Sequence, residues 1–467
     1  MEGIGNFEVF GKSEKKSHFA VEKKKEIFED EKMLVSFSIT NFHSFGKKQT
    51  FTMLANSREK LHNNRPLQVD SFRIQKLATI YGPNASGKSN FVLALHVIKE
   101  VFAKKQPITS AYVSNWLIGK KTRSSPSKFD LIIYTSNKFY NYGFEFDMTT
   151  VYKEWLYDLG ADGKKNEIVF DRKTTLRSDN TKKTNVKYNS ISSENSENST
   201  FLYAQAFGQS GELFLNHLDS NIETHTDKRI KDVLDWLKLR LLVISAKTIC
   251  TIFPHLEVKA KEIQYNDSLS KMGLDIYETK VLSKDVSMIY NNTNINSFPE
   301  QTILTQTSNT SRLLVREIRR DSNNKLISKE LVPIFKDIKG EEIKIPVDYL
   351  STGTQRAMFL NPLLLDKAKD TIIIIDELDS ALHPDLFIYF VEKYAELNRD
   401  SSQLIFTAHN TVLLDKDILR SDEVWFLDKK NKQSFWNPLY QYKIRKDLKK
   451  GKSYLEGRFE SLPNIKI

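Results

Sequence analysis

The string GPNASGKS at 82–89 leaves this chain few folds to choose from. It follows an apolar run, KLATIY at 76–81, and leads into 89–104, where Phe91, Leu95, Ile98 and Phe102 recur at helical spacing on one face. Strand, glycine loop and helix in that order predict a phosphate-binding loop. The glycines let the backbone turn tightly, so that its N–H groups converge on an anion. The helix start adds the positive end of its dipole. Lys88 is expected to reach the β- and γ-phosphates of a nucleotide, and the Ser89 hydroxyl to ligate Mg²⁺. Gly82, Pro83, Asn84, Ala85, Ser86, Gly87 and Asn90 complete the expected ATP cradle.

Three later strings complement the loop. In IIIIDE at 372–377, four β-branched residues bury a strand whose end carries Asp376 toward the nucleotide, to hold Mg²⁺. Glu377 is placed to polarise an attacking water. TAH at 407–409 ends another apolar strand with His409, and LSTGTQR at 350–356 precedes a helical stretch. A hydroxyl and a permissive glycine at a helix start, Ser351 and Gly353, suit an anion site.

Composition sets bounds. Lys and Arg total 70 against 59 Asp and Glu, a net charge of +11 that is compatible with nucleic acid or an acidic partner. Part of the excess is local, from Lys429 to Arg458, where Phe435, Trp436, Tyr440, Tyr442 and Tyr454 interleave with basic residues. The single cysteine, Cys250, excludes an internal disulfide framework and a thiolate zinc cluster, and fits a cytoplasmic location. No apolar run is long enough to span a membrane, and the first residues lack a secretory apolar core.

The pattern predicts an α/β chain with a mostly parallel sheet and helices on both faces. Residues 129–170 read as a β meander, 174–200 as a polar loop, 205–240 as helical, and 241–246 as a strand returning to the core. Residues 250–330 show little period, and no heptad repeat supports a coiled-coil arm.

These strings resemble the head of ABC-class ATPases of the SMC and DNA-repair type. GPNASGKSN is that group's style of phosphate loop, flanked by Asn84 and Asn90. DELDSALHP at 376–384 is similar to its acidic strand end and D-loop, with Asp379 and Ser380 at a subunit-facing turn. His409 matches the switch histidine that senses the γ-phosphate. LSTGTQR resembles the signature loop, usually Leu-Ser-Gly-Gly-Gln: Leu350, Ser351, Gly353 and Gln355 are kept, and Thr352 and Thr354 fill variable places. The resemblance implies that Ser351, Gly353 and Gln355 bind the γ-phosphate of ATP held by a second subunit. No glutamine stands out as a Q-loop; Glu154 in VYKEWLYDL lies in that region, and NFHSFG at 41–46 is the expected neighbourhood of the adenine.

The implied fold is a P-loop NTPase with an ABC-type head: a mixed sheet flanked by helices, an antiparallel β subdomain and a helical insertion. Its expected parts are a charged extension (1–32), an N-lobe with the phosphate loop and meander (33–173), a helical or irregular insertion (174–330), a C-lobe with signature, acidic strand, D-loop and switch histidine (331–428), and a basic tail (429–467). LVSFSITNFHSFGKKQTFTM at 34–53, the short insertion and the ending YLEGRFESLPNI further resemble bacterial abortive-infection and anti-phage ATPases of the AbiL/RloA and PARIS-like type. That resemblance implies an ATP-hydrolysing sensor or scaffold acting as a homodimer or higher homo-oligomer. It also implies a separate effector, such as a TOPRIM-like nuclease, and a nucleic acid or phage protein as trigger. The stretch after His409 is too short for a fused TOPRIM domain. The alternative is an SMC-like or repair-like ATPase that binds DNA directly.

Overall fold

The computed structural model describes residues 31–104, 108, 125–176, 182–188, 211–220, 227–244, 259–285, 301–307, 313–320, 325–365, 370–397, 401–442 and 449–459. Most of the expected extension, Cys250, the 443–448 part of the basic tail and everything from 460 lie outside these residues.

In chain order, β1 (Met33–Thr40) and β2 (Gln49–Thr52) form a hairpin, and β3 (Leu67–Val69) and β4 (Phe72–Ile74) a shorter one. β5 (Leu77–Tyr81) then leads into the glycine loop and α1 (Lys88–Ala103). The meander follows as β6 (Ser127–Thr135), β7 (Lys138–Phe146), β8 (Val151–Gly160), β9 (Glu167–Leu176) and β10 (Lys182–Tyr188). Next come α2 (Phe214–Ser220), α3 (Lys228–Leu239), β11 (Leu241–Ile244) and α4 (Lys259–Lys271). β12 (Glu278–Asp285), β13 (Gln301–Thr307), β14 (Leu313–Arg320), β15 (Leu326–Lys336) and β16 (Glu342–Lys344) form a further sheet. The last third holds α5 (Thr352–Leu360), α6 (Pro362–Leu365), β17 (Ile372–Ile375), α7 (Pro384–Glu396), β18 (Gln403–Thr407), β19 (Val424–Lys430), β20 (Gln433–Pro438) and α8 (Lys450–Leu455).

The central sheet runs β11-β17-β18-β5-β19-β20, parallel except for β20. A parallel strand covered on both faces needs apolar residues at every position, and β17 meets this with four buried isoleucines. Strand alternation sends them to two cores: Ile372 and Ile374 to one, Ile373 and Ile375 to the other. The first core also holds Phe91, Leu95, Ile98 and Phe102 of α1 and the inner face of the seven-stranded antiparallel sheet β10-β9-β8-β7-β6-β1-β2. The second holds residues of α4, α5, α6, α7 and α8.

The parallel register decides where chemistry collects. Ile375 pairs with Phe406, and Thr407 with Ile80. The loops that leave β5, β17 and β18 therefore emerge at one edge, the carboxyl edge where open α/β sheets bind ligands.

The polar stretches hold more regular structure than their periodicity announces. β10 lies inside 174–200 and pairs with β9. α4 occupies 259–271, yet only Tyr265, Ser268 and Leu269 of it are buried, so its apolar stripe is too narrow to stand out.

Candidate nucleotide site

The glycine loop is built where sterics allow little else. A Cβ on Gly82 would lie 2.4 Å from the Leu427 carbonyl oxygen. Gly87, the N-cap of α1, has φ 114°, a left-handed value that a side chain resists. Lys88 Nζ donates to the Gly82 carbonyl at 2.7 Å and to the Pro83 carbonyl at 3.3 Å, which lays the ammonium across the loop. Lys88 is only 6% exposed. Burial pushes its pKa below the ordinary lysine value, while the carboxylates of Asp376, Glu377 and Asp379 pull the other way. Asn84, Ala85 and Ser89 are exposed.

The acidic turn after β17 is clamped by a residue that motif reading passes over. Thr407 Oγ1 donates to Asp376 Oδ1 at 2.7 Å and accepts from the Glu377 N–H at 2.7 Å. Glu377 takes φ 50°, a left-handed value for a non-glycine residue. His409 Nε2 stands 4.0 Å from Glu377 Oε1, with both side chains 41% exposed. Asp379 Oδ2 accepts from the backbone N–H of His409 at 2.8 Å and of Asn410 at 2.6 Å, so the D-loop carboxylate fixes the turn that carries the histidine. The only advance sign of Thr407 is a small hydroxyl residue at the end of the apolar strand LIFT.

The signature-like loop meets this turn from the other side. Ser351 caps α5, its Oγ accepting from the Thr354 N–H at 3.1 Å. A Cβ on Gly353 would lie 2.7 Å from the Ala381 carbonyl oxygen, so the loop and the D-loop touch at a point that only glycine permits. Arg356 Nη2 donates to the Glu377 carbonyl at 3.4 Å. Gln355 points inward: its Nε2 donates to the Val347 and Leu350 carbonyls at 2.9 and 3.0 Å. Ser351 is exposed, and among the described residues no hydrogen bond joins it to the phosphate loop.

Of two other expected positions, Glu154 lies away from the loop and NFHSFG lies against it. Glu154 is fully buried and accepts from the N–H groups of Phe214 and Leu215 at the start of α2, from Tyr142, and from Arg172 at 3.4 Å. With its oxygens committed there, Glu154 has no lone pair facing a nucleotide. In NFHSFG, Asn41 and His43 take positive φ, and Ser44 accepts from Asn90 Nδ2 at 2.8 Å.

The donor set fits Mg²⁺. The charges of Asp376, Glu377 and Asp379 act on the one ammonium of Lys88, leaving net negative charge, and oxygen donors suit a hard cation that takes few protein ligands. Thr407 occupies one oxygen of Asp376 and leaves the other for a cation, while Ser89 offers an exposed hydroxyl. Among the described residues no cluster of three or more His, Cys, Asp or Glu side chains forms a larger cage.

Residues 33–414 match the model of the AAA ATPase domain family AAA_15. The chain belongs to that family. It is a P-loop NTPase, it binds nucleotide, and it is an ATPase. No curated protein matches it. Among solved structures, the SMC head domain from Thermotoga maritima is 12% identical, with 88% of this chain and 100% of that one covered and a TM-score of 0.37. An SmcHead bound to the C-winged helix domain of ScpA is 13% identical, covering 87% and 97%, with a TM-score of 0.39. An Smc head with an extended coiled coil, bound to the C-terminal domain of ScpA derived from Pyrococcus furiosus, is 11% identical, covering 88% and 97%, with a TM-score of 0.37. Among the described residues no helix of this ATPase is long and apolar enough to cross a membrane.

Proposed function

We propose that the chain is an ATP-driven switch whose active site is completed by a second copy of itself. The supporting observation is the placement of Ser351. It caps a helix at the surface, beside the D-loop, without a hydrogen bond to its own phosphate loop. A helix start at the surface can hold an anion, and in this reading that anion is the nucleotide of a second copy.

In this reading, Gly82 to Ser89 hold the ATP phosphates, with Lys88 on the β- and γ-phosphates. Ser89 and Asp376 hold Mg²⁺, which neutralises charge developing on the phosphoryl group. Glu377 orients and deprotonates the attacking water, and His409, 4.0 Å from it, senses the γ-phosphate. Ser351 and Gly353 of the second copy close over the γ-phosphate, and Gln355 holds their loop in shape from inside. Arg356 joins that loop to the Glu377 carbonyl of its own chain.

Mixing two inactive variants tests the composite site. Lys88→Ala lacks its own phosphate grip but retains Ser351; Ser351→Arg is the converse. Neither turns over ATP alone, and the mixture regains turnover because one of its two sites is intact. A silent mixture, or an active Ser351→Arg protein, overturns the reading.

Control of a separate effector, such as a TOPRIM-like nuclease in anti-phage defence, is supported by the opening at 34–53 and the tail at 454–465. Pull-down of the neighbouring operon products with and without ATP tests it: ATP-dependent capture of an effector is expected, and none in either condition removes the role.

A further inference from the structure

The phosphate loop rests on a support from the far end of the chain. The Ser86 carbonyl accepts a hydrogen bond from the Ser434 hydroxyl, on β20 and 348 residues away. Ser434 Oγ is 2.7 Å from Ser44 Oγ, and Ser44 Oγ accepts from Asn90 Nδ2 at 2.8 Å. The Ser434 N–H also donates to the Ser44 carbonyl at 2.9 Å. A hydroxyl has one proton to give. The Ser434 proton is therefore shared between the Ser86 carbonyl and Ser44 Oγ, and Ser44 Oγ accepts from both Ser434 and Asn90 Nδ2.

The loop needs such a partner. A loop that turns its N–H groups toward an anion turns carbonyls the other way, into the protein. A buried carbonyl without a donor is costly. The contact is also tight, since a Cβ on Gly87 would lie 2.3 Å from Ser434 Oγ and 2.5 Å from Ser44 Oγ. The same hairpin adds Lys429, whose Nζ donates to the Ala85 carbonyl at 3.1 Å.

We propose that Ser434, in one hydrogen-bonded cluster with Ser44 and Asn90, is a positioning residue that holds the phosphate loop in its anion-accepting shape before nucleotide arrives. The proposal rests on the phosphate-loop reading above. It places Asn90 in the support beneath the loop rather than on the nucleotide.

Equilibrium binding of a fluorescent ATP analogue to the full chain, read beside the melting temperature of the free protein, tests it. Ser434→Ala weakens binding about tenfold, the scale of one lost hydrogen bond to a buried carbonyl, with the free protein's melting temperature little changed. Ser44→Ala does the same. Because both belong to one hydrogen-bonded cluster, the double variant binds no worse than the weaker single; independent roles would multiply. Unchanged affinity in Ser434→Ala, or multiplying losses, overturns the proposal. If Ser434→Ala does not fold, Ser44→Ala alone decides in the same way. Lys88→Ala run in parallel separates the two readings: loss there without loss in Ser434→Ala overturns only the positioning role, while retained binding in Lys88→Ala overturns the phosphate-loop reading beneath it.

Discussion

The phosphate loop and the signature loop are both glycine turns at helix starts, yet the protein treats them differently. The first is enclosed. Lys88 is buried, Gly87 presses on two serines, and Leu427 crowds Gly82. The second is held from behind, by Gln355 on the Val347 and Leu350 carbonyls, by Gly353 against Ala381 and by Arg356 on the Glu377 carbonyl, while Ser351 is exposed. The chain's own fold finishes the first loop and leaves the second shaped but unfilled. In the proposed composite site, the first loop binds the nucleotide and the second meets one brought by another copy.

Substitutions can break that comparison. The largest expected effect is at the enclosed loop. Lys88→Ala removes a charge-assisted contact to phosphate, and ATP affinity falls on the order of 100-fold. Titration calorimetry checks this, and tight binding in the variant would mean that the loop is a turn without a ligand. Next is Glu377→Gln, which keeps the shape and removes the base. Turnover drops about 10²- to 10⁴-fold while nucleotide stays bound. A normal steady-state rate would take Glu377 out of the chemistry and leave its left-handed backbone unexplained.

Gly353→Ala sharpens the comparison further. Its Cβ enters within 2.7 Å of the Ala381 oxygen, so the signature loop must shift by a fraction of an ångström. Overpacking of this kind costs about 1–3 kcal/mol, and here it falls on the outward loop. The expected outcome is a several-fold lower kcat with ATP affinity unchanged. A loss of affinity instead would mean that the two loops are not separable within one chain.

How far these parts were legible follows from what each asks of the sequence. A parallel strand buried on both faces must be apolar throughout, so IIII and LIF announce β17 and β18. The phosphate loop needs glycine at fixed places, which gives it a recognisable string. Three kinds of feature gave no such sign. α4 buries three residues of a polar run and reads as loop. Gln355 sits in a motif read as ligand-facing, but two carbonyls beneath the loop need its amide more. Thr407 and Ser434 act only through partners that folding brings from 31 and 348 residues away. Glu154 failed for the opposite reason: its position after the meander suggested the site, but burial beside the α2 start committed it elsewhere.

The smallest effect on turnover is expected at Tyr454, in the tail whose aromatic and basic residues suggested a grip on a phosphate backbone. Tyr454 and Phe459 are buried instead, each nearly parallel to Phe426 of β19, with ring centroids 5.2 and 5.0 Å away. Lys449 and Lys452 remain exposed around them. Tyr442 and Tyr454 thus belong to the second core and Trp436 packs against the first, while Tyr440 stays exposed with the lysines. Tyr454→Ala opens a cavity beside Phe426 and Tyr81, at a cost of about 3 kcal/mol in folding stability. The Ser434 support and the Lys88 contacts run on the other side of the loop, through Ser86, Gly82 and Pro83. The melting temperature therefore falls by several degrees while kcat and ATP affinity change less than about twofold, because no atom lost touches those groups. A large loss of ATP affinity at unchanged stability would show that α8 acts on the phosphate loop through Tyr81, and would make the enclosed loop dependent on the tail as well as on the hairpin.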